Sequence, residues 1–181
     1  MMPSYFLAKR GWINYQKWAN NLMVSSLSLV HDATPESVQA MAEWSVERQL
    51  WAHRRADVLA RLSRHMAEGA QGYIVSSVTE PVVKTFAGRM GAQAIGTPIE
   101  IVKGRLHFAS SLVTSDRKVE QVLNRLDVEK VDFAYGDTWQ DIPLLEHAAK
   151  AVAVYPDPTL KETALQRGWK IMVDRTKGDI Q

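Results

Sequence analysis

The chain has 181 residues, of which 46% are apolar and 23% charged, with a formal net charge of +2. That length allows one domain with a sizeable core, or a core plus a small accessory module, and so weak a charge does not select nucleic acid or an anionic membrane as the main partner. The absence of cysteine excludes disulfides, thiolate metal sites and cysteine nucleophiles, no apolar run approaches the ~20 residues of a membrane span, and the start lacks the build of a signal peptide, so the cytoplasm is the expected location.

Residues 4 to about 67 read as helices only. Tyr5-Phe6-Leu7 leads into Lys9-Arg10-Gly11, a short helix with a basic end and a glycine stop. Trp12, Tyr15, Trp18, Ala19 and Leu22 recur at helical spacing. Asp32-Ala33-Thr34-Pro35-Glu36 breaks and restarts the pattern, with Thr34 as N-cap and Pro35 at the first helical position. Met41, Trp44, Val46 and Leu50 continue that helix. Another runs from about Arg54, with Val58, Leu59, Leu62 and Met66 on one face and Gly69 as its stop. The aromatics Trp12, Tyr15, Trp18, Trp44 and Trp51 are expected to pack in the core or between helices.

From Gly69 the pattern changes. Gly72-Tyr73-Ile74-Val75-Ser76-Ser77 reads as a strand ending in hydroxyls, and Thr79-Glu80-Pro81 opens a helix to about Met90. A strand running into a helix N-terminus offers unpaired backbone N–H groups to an anion. Ser76 would lie at the rim of such a site; alternatively Ser76 and Ser77 simply cap the helix. Ile99 and Ile101, then Leu106 and Phe108, alternate around Lys103-Gly104 as a β-hairpin. Ser115 begins a helix that buries Val119, Val122, Leu123 and Leu126. Lys118 sits in its first turn, where a cation opposes the helix dipole unless an anion lies nearby.

The stretch Val131-Asp132-Phe133-Ala134-Tyr135-Gly136-Asp137-Thr138-Trp139-Gln140-Asp141 is a strand, a tight turn at Gly136 and the start of a helix. Asp137 and Asp141 therefore lie near the mouth of a sheet, where open α/β folds bind ligands. Two hard carboxylates there suit Mg²⁺. The same spacing also suits a turn in which Asp137 caps the helix and Asp141 is a solvated first-turn acid. Ala151-Val152-Ala153-Val154 is a further buried strand. Pro156-Asp157-Pro158-Thr159 is a turn, residues 160–166 form a helix stopped by Gly168, and residues 169–173 a last strand. From residue 70 the alternation argues for a mostly parallel, doubly wound sheet.

In order and spacing, Tyr73-Ile74-Val75-Ser76-Ser77, Lys118-Val119-Glu120, Tyr135-Gly136-Asp137-Thr138-Trp139-Gln140-Asp141 and the segment from Val152 to Pro158 resemble the haloacid dehalogenase (HAD) superfamily, most closely its phosphoserine-phosphatase-like branch. The resemblance covers residues 70 to about 173. It implies a HAD-like Rossmannoid core of mostly parallel sheet over residues 68–174, an N-terminal α-helical cap over 1–67 and a polar tail over 175–181. It implies a Mg²⁺-dependent hydrolase of small phosphomonoesters. Ser76, with Ser77, would hydrogen-bond the phosphoryl group. Lys118 would neutralise phosphate and nucleophile charge, and Asp137 and Asp141 would hold the metal directly or through water.

One element of that family is absent. Its first motif is a strand followed by D-x-D-x-[T/V], which carries the aspartate nucleophile and a general acid/base. The aspartates here stand at 32, 57, 116, 127, 132, 137, 141, 157, 174 and 179, and no two are two apart. The resemblance thus implies a chain truncated at its N-terminus, lacking a central strand between the strands of Ser76 and Asp137, and inactive as given. The alternative is a degenerate, non-catalytic HAD domain that binds a phosphorylated ligand or a protein partner. Without that strand, two backbone edges are expected to be exposed or to pair directly.

Overall fold

The computed structural model describes residue 27 and residues 29–173. The expected helices with Lys9-Arg10-Gly11, Trp12, Tyr15 and Trp18, and the tail over 175–181, lie outside the described residues. Thr34 starts helix α1 (Pro35–Ser45) with a reciprocal cap. Its Oγ1 accepts from the Ser37 N–H at 3.2 Å, and its own N–H donates to Ser37 Oγ at 2.9 Å. Beyond Ser45 the chain stays helical but changes pitch, through a π-helical turn (Val46–Leu50) and a 3₁₀ turn (Trp51–His53). Trp44 is 58% exposed, against the expectation that it packs inside. The buried stripe runs through Ala42 and Val46, four residues apart, and Trp44 lies between them on the opposite face. Trp51 does pack as expected, edge-on to Phe86 with centroids 5.5 Å apart.

Helix α2 (Ala56–Ala67) ends before Gly69, whose φ of +95° suits a residue without a Cβ. Strand β1 (Tyr73–Thr79) then passes through α3 (Glu80–Gly88) into the parallel strand β2 (Gln93–Thr97). The sequence pattern does not announce β2 as a separate strand, since it is short and Gly96 interrupts its apolar run. Gly96 has a packing reason: a Cβ there would stand 2.6 Å from Glu80 Cα. Strand β1 also runs two residues further than expected. Its register with β2 slips between Val75 and Thr79, so Ser76 and Ser77 lie within the strand and not at its end. The antiparallel hairpin of β3 (Ile99–Val102) and β4 (Arg105–Phe108) turns at Lys103 and Gly104, both with positive φ, as a two-residue hairpin turn requires.

Helix α4 (Asp116–Leu126) buries Val119 and Val122. After it come β5 (Val131–Gly136), the short α5 (Ile142–Glu146), β6 (Ala148–Val154), α6 (Pro158–Arg167) and β7 (Lys170–Met172). Strands β5, β6 and β7 form a parallel sheet in sequence order. Ala134, Ala151 and Ala153 on one of its faces pack against Leu145, Leu160 and Ala164 of α5 and α6. The small alanines let these helices approach the sheet closely.

The expected mixed α/β architecture with parallel strands is present, but the sheet is divided. Among the described residues, β1 pairs only with β2, and β5 only with β6. The free edges do not pair with each other. A cleft of about 620 Å³ lies between them, lined by Tyr73, Ile74 and Val75 on one side and by residues 131–135 on the other. Helices α2 and α4 line it further, with Phe86 of α3, Leu144 and Asp141.

Candidate active site at the mouth of strand β5

The loop leaving β5 is built around Asp141. Thr138 is the N-cap of a 3₁₀ turn (Trp139–Asp141), and Asp141 is its reciprocal partner. Asp141 Oδ2 accepts from the backbone N–H groups of Asp137 and Thr138, at 3.0 and 3.1 Å, and from the Thr138 hydroxyl at 3.3 Å. Its Oδ1 accepts from Lys118 Nζ at 2.5 Å. Both side chains of this ion pair are nearly buried, 12% exposed for Lys118 and 10% for Asp141. Asp141 is therefore the acid that offsets a lysine in the first turn of α4, and not a solvated first-turn residue. Asp137 does not cap the turn; Thr138 does.

Gly136 has its own reason to be glycine. It is not among the positive-φ residues, so turn geometry does not demand it. A Cβ there would stand 2.4 Å from Asp141 Cβ and 3.0 Å from Asp141 Cγ. Close approach of the carboxylate to the strand end excludes a side chain.

Burial pushes the Asp141 carboxyl upward and is the largest single influence on it. The Lys118 charge and hydrogen bond, with the N–H groups of Thr138 and Asp137, together outweigh burial and hold the pKa below the ordinary carboxylate range. A folded-state pKa below the unfolded value of ~3.9 contributes stability that is complete above that value and is lost as pH falls through the folded-state pKa. In metal-free buffer, the Asp141 carboxyl carbon resonance is expected to titrate with a midpoint below about 3.9. A midpoint above that value would contradict the arrangement.

Asp137 faces outward, with its side chain 46% exposed. Its Oδ2 accepts from Arg55 Nη2 at 2.9 Å. The Arg55 guanidinium also lies 5.2 Å from the Tyr155 ring centroid and donates to the Val154 carbonyl at 3.4 Å. Asp157 fixes the far side of the loop. Its Oδ1 accepts from the Leu160 N–H, capping α6, and its Oδ2 accepts from the Trp139 N–H, both at 2.8 Å. Its own N–H donates to the Asp137 carbonyl at 3.0 Å. Asp157→Ala removes a helix cap and an anchor of the 3₁₀ turn, and is expected to cost about 1–2 kcal/mol in urea unfolding. A change within about 0.5 kcal/mol, the range of ordinary surface substitutions, would contradict that role.

The structure thus brings Lys118, Asp137 and Asp141 together. Ser76 and Ser77 make their own local hydrogen bonds. Ser76 Oγ accepts from the Val78 N–H at 3.2 Å, and the Ser77 carbonyl accepts from Thr97 Oγ1 at 2.7 Å. Among the described residues, neither serine is hydrogen-bonded to the lysine or to either aspartate. Arg55 and Asp157 are the residues that the sequence pattern did not mark as part of this loop. Asp157 carried a signal, an aspartate directly before a proline at a helix start. Arg55 carried only its charge.

Among the described residues no three histidine, aspartate or glutamate side chains cluster as a metal-binding group. Mg²⁺ does not require one, since one or two carboxylates completed by water and phosphate oxygens suffice. Asp137 fits as a direct ligand because it is outward-facing and, among the described residues, only its Oδ2 is engaged, by Arg55. Asp141 has both oxygens engaged and fits as support behind it.

An α/β core of parallel strands gathers a lysine and two aspartates at one strand mouth, the place where open α/β folds bind ligands. Residues 13–146 match the family model of haloacid dehalogenase-like hydrolases, and the chain belongs to that family. It is 29% identical over 114 residues to a phosphoserine phosphatase of Mycobacterium tuberculosis, covering 59% of this chain and 37% of that protein. It is 25% identical over 119 residues to a histidinol-phosphatase of Neisseria meningitidis, covering 60% and 54%. The fold resembles the crystal structure of a Bordetella pertussis protein of unknown function, with a TM-score of 0.76 at 24% identity, covering 94% of this chain and 78% of that one. The chain spans between 37% and 54% of the length of the curated relatives it matches. No helix among the described residues is long and apolar enough to cross a membrane.

Proposed function

We propose that this chain carries the phosphate- and metal-holding side of a Mg²⁺-dependent phosphomonoester hydrolase acting on a small phosphorylated substrate in the cytoplasm. The observation that carries the reading is the nearly buried Lys118–Asp141 pair directly behind the outward-facing Asp137. A lysine held at a strand mouth supplies positive charge where a phosphoryl oxygen would sit, at no reorganisation cost. Asp141 fixes that lysine and the Asp137 backbone together, so the two functional groups keep one relative position. Asp137 is the ligand for Mg²⁺, which when bound neutralises phosphate charge. Ser76 and Ser77 would donate to the same phosphoryl group from β1. The helices before residue 68 would form the cap that selects the leaving group, over a core of residues 68–174.

The family's covalent nucleophile is the first aspartate of D-x-D, and these 181 residues contain no such pair. Loss of a covalent nucleophile costs on the order of 10⁶ in turnover. The chain as given is therefore expected to bind phosphate without hydrolysing a phosphomonoester. Calorimetry is expected to show orthophosphate binding that requires Mg²⁺ and is lost in Asp137→Asn, while p-nitrophenyl phosphate is released only at the background rate. Robust release abolished by Asp137→Asn would overturn the inactivity. Phosphate binding indifferent to both Mg²⁺ and Asp137→Asn would overturn the site.

A further inference from the structure

We propose that the face of the β5–β6–β7 sheet turned away from α5 and α6 carries a second anion site, which binds an extended polyphosphate chain. A cavity of about 600 Å³ lies there, and none of Lys118, Asp137 and Asp141 lines it. Strand register builds its floor. Phe133 stands opposite Lys150, and Tyr135 and Lys170 stand on either side of Val152. The alternate residues Ala134, Ala151 and Ala153 pack against the helices of the other face. Helix α2 lines the cavity with Arg61, Arg64 and His65, and the end of α6 adds Arg167.

The lining holds five lysines and arginines and no aspartate or glutamate. The whole chain has 22 such cations against 20 acids, so general basicity does not explain the surplus. Glu146 holds Arg167 at 2.7 Å, and Glu68 stands 4.0 Å from His65. Among the described residues, no carboxylate forms an ion pair with Arg61, Arg64, Lys150 or Lys170. Like charges gathered in one concavity raise the local concentration of anions, and their repulsion opposes the compact state until an anion fills it.

Spacing decides the kind of anion. Arg61 and Arg64 are three residues apart on α2, which sets their Cβ atoms ~5–6 Å apart. Lys150 stands two residues before the strand partner of Lys170, a diagonal of roughly 8 Å at ~3.3 Å rise and ~4.8 Å strand spacing. A chain of linked phosphates presents charge along such a length, and a single orthophosphate does not. Guanidinium forks match its oxygens. The aromatic residues of the floor do not ask for a base. Phe133 already has the His65 ring at 4.1 Å between centroids and Lys150 Nζ at 4.9 Å from its own centroid. The Tyr135 hydroxyl is hydrogen-bonded to His65 Nε2 at 2.9 Å. The site therefore reads the polyphosphate, free or as the tail of a nucleotide. This inference does not depend on the phosphatase reading.

The test uses the 181-residue chain in buffer stripped of metal by a chelating resin, at about 0.1 M salt to screen distant charges. Inorganic tripolyphosphate is expected to bind saturably in calorimetry, at least roughly tenfold more tightly than orthophosphate, and to raise the thermal midpoint. Arg61→Gln with Arg64→Gln, and Lys150→Gln with Lys170→Gln, are each expected to weaken it roughly tenfold or more, because each pair removes the charge of one wall. Lys161→Gln with Arg125→Gln removes the same charge outside the cavity and is expected to change affinity less than about twofold. Asp137→Asn is expected to leave it unchanged. In amide spectra of the unsubstituted chain, the first shifts are expected at Phe133, Lys150, Val152 and Lys170. Adenosine triphosphate tells the two sources apart: affinity no tighter than that of tripolyphosphate assigns the free chain, and tighter affinity assigns the nucleotide.

Absence of saturable binding would overturn the inference, as would orthophosphate binding as tightly as tripolyphosphate. So would an equal loss in the Lys161 and Arg125 control, which is attraction to net charge alone. Loss of binding in Asp137→Asn, or first shifts at residues 136–141, would place the ligand at the mouth of β5 and overturn it too.

Discussion

Lys118→Met is expected to lower stability by roughly 3–5 kcal/mol, the cost of leaving one member of a buried ion pair without its partner. The lysine and Asp141 are 12% and 10% exposed, so solvent does little to replace the lost charge. Asp141 would keep its hydrogen bonds from the Asp137 and Thr138 N–H groups but lose the cation that offsets its burial. Its pKa would then rise, and the loss of stability is expected to be larger at neutral pH than near pH 4, where protonation relieves it. The double variant Lys118→Met with Asp141→Asn is expected to recover part of the loss, because no uncompensated charge stays buried. Urea unfolding of wild type, both single variants and the double variant checks this. A double variant less stable than Lys118→Met would contradict it.

Gly136→Ala is expected to destabilise by about 3 kcal/mol, the upper end of ordinary overpacking, although it adds only a methyl group. That methyl would meet Asp141 Cβ at 2.4 Å and Oδ2 at 3.1 Å. Asp141 cannot step aside cheaply, because Lys118 holds one of its oxygens and the Asp137 and Thr138 N–H groups the other. Mg²⁺-dependent phosphate binding should fall with stability, because the same displacement moves Lys118 and the Asp137 backbone. Gly88→Ala is the control. Nothing lies within 4 Å of its added Cβ, and it occupies the last position of α3. It is expected to be neutral or stabilising by up to about 1 kcal/mol. Equal effects of the two substitutions in urea unfolding would show that backbone entropy, and not contact with Asp141, explains Gly136.

Local chemistry made much of the architecture legible. Thr34-Pro35 marks a helix start, Lys103-Gly104 a hairpin, and Gly168 a helix end with φ of +67°, and all three stand where sequence places them. Lys118 was legible through a conflict: a cation at a helix start needs an anion, and Asp141 is that anion. What sequence did not reveal depends on packing between distant segments. Trp44 looks like a core residue by type, but the stripe formed by Ala42 and Val46 turns it outward. The true end of β1 depends on a register slip against β2, which no local pattern records. Gly136 reads as a turn glycine, yet its constraint comes from a side chain five residues on. Arg55 reaches Asp137 from 82 positions away, and only the folded chain brings them together.

The most direct test of the metal and phosphate site is paramagnetic mapping with Mn²⁺, a hard cation that favours the same oxygen ligands as Mg²⁺. In an amide spectrum of the 181-residue chain, Mn²⁺ is expected to broaden residues 136–141 and Lys118 first and saturably. Excess Mg²⁺ should reverse the broadening, and Asp137→Asn should abolish it. Broadening that begins elsewhere, or persists unchanged in Asp137→Asn, would contradict the placement of the site at the mouth of β5.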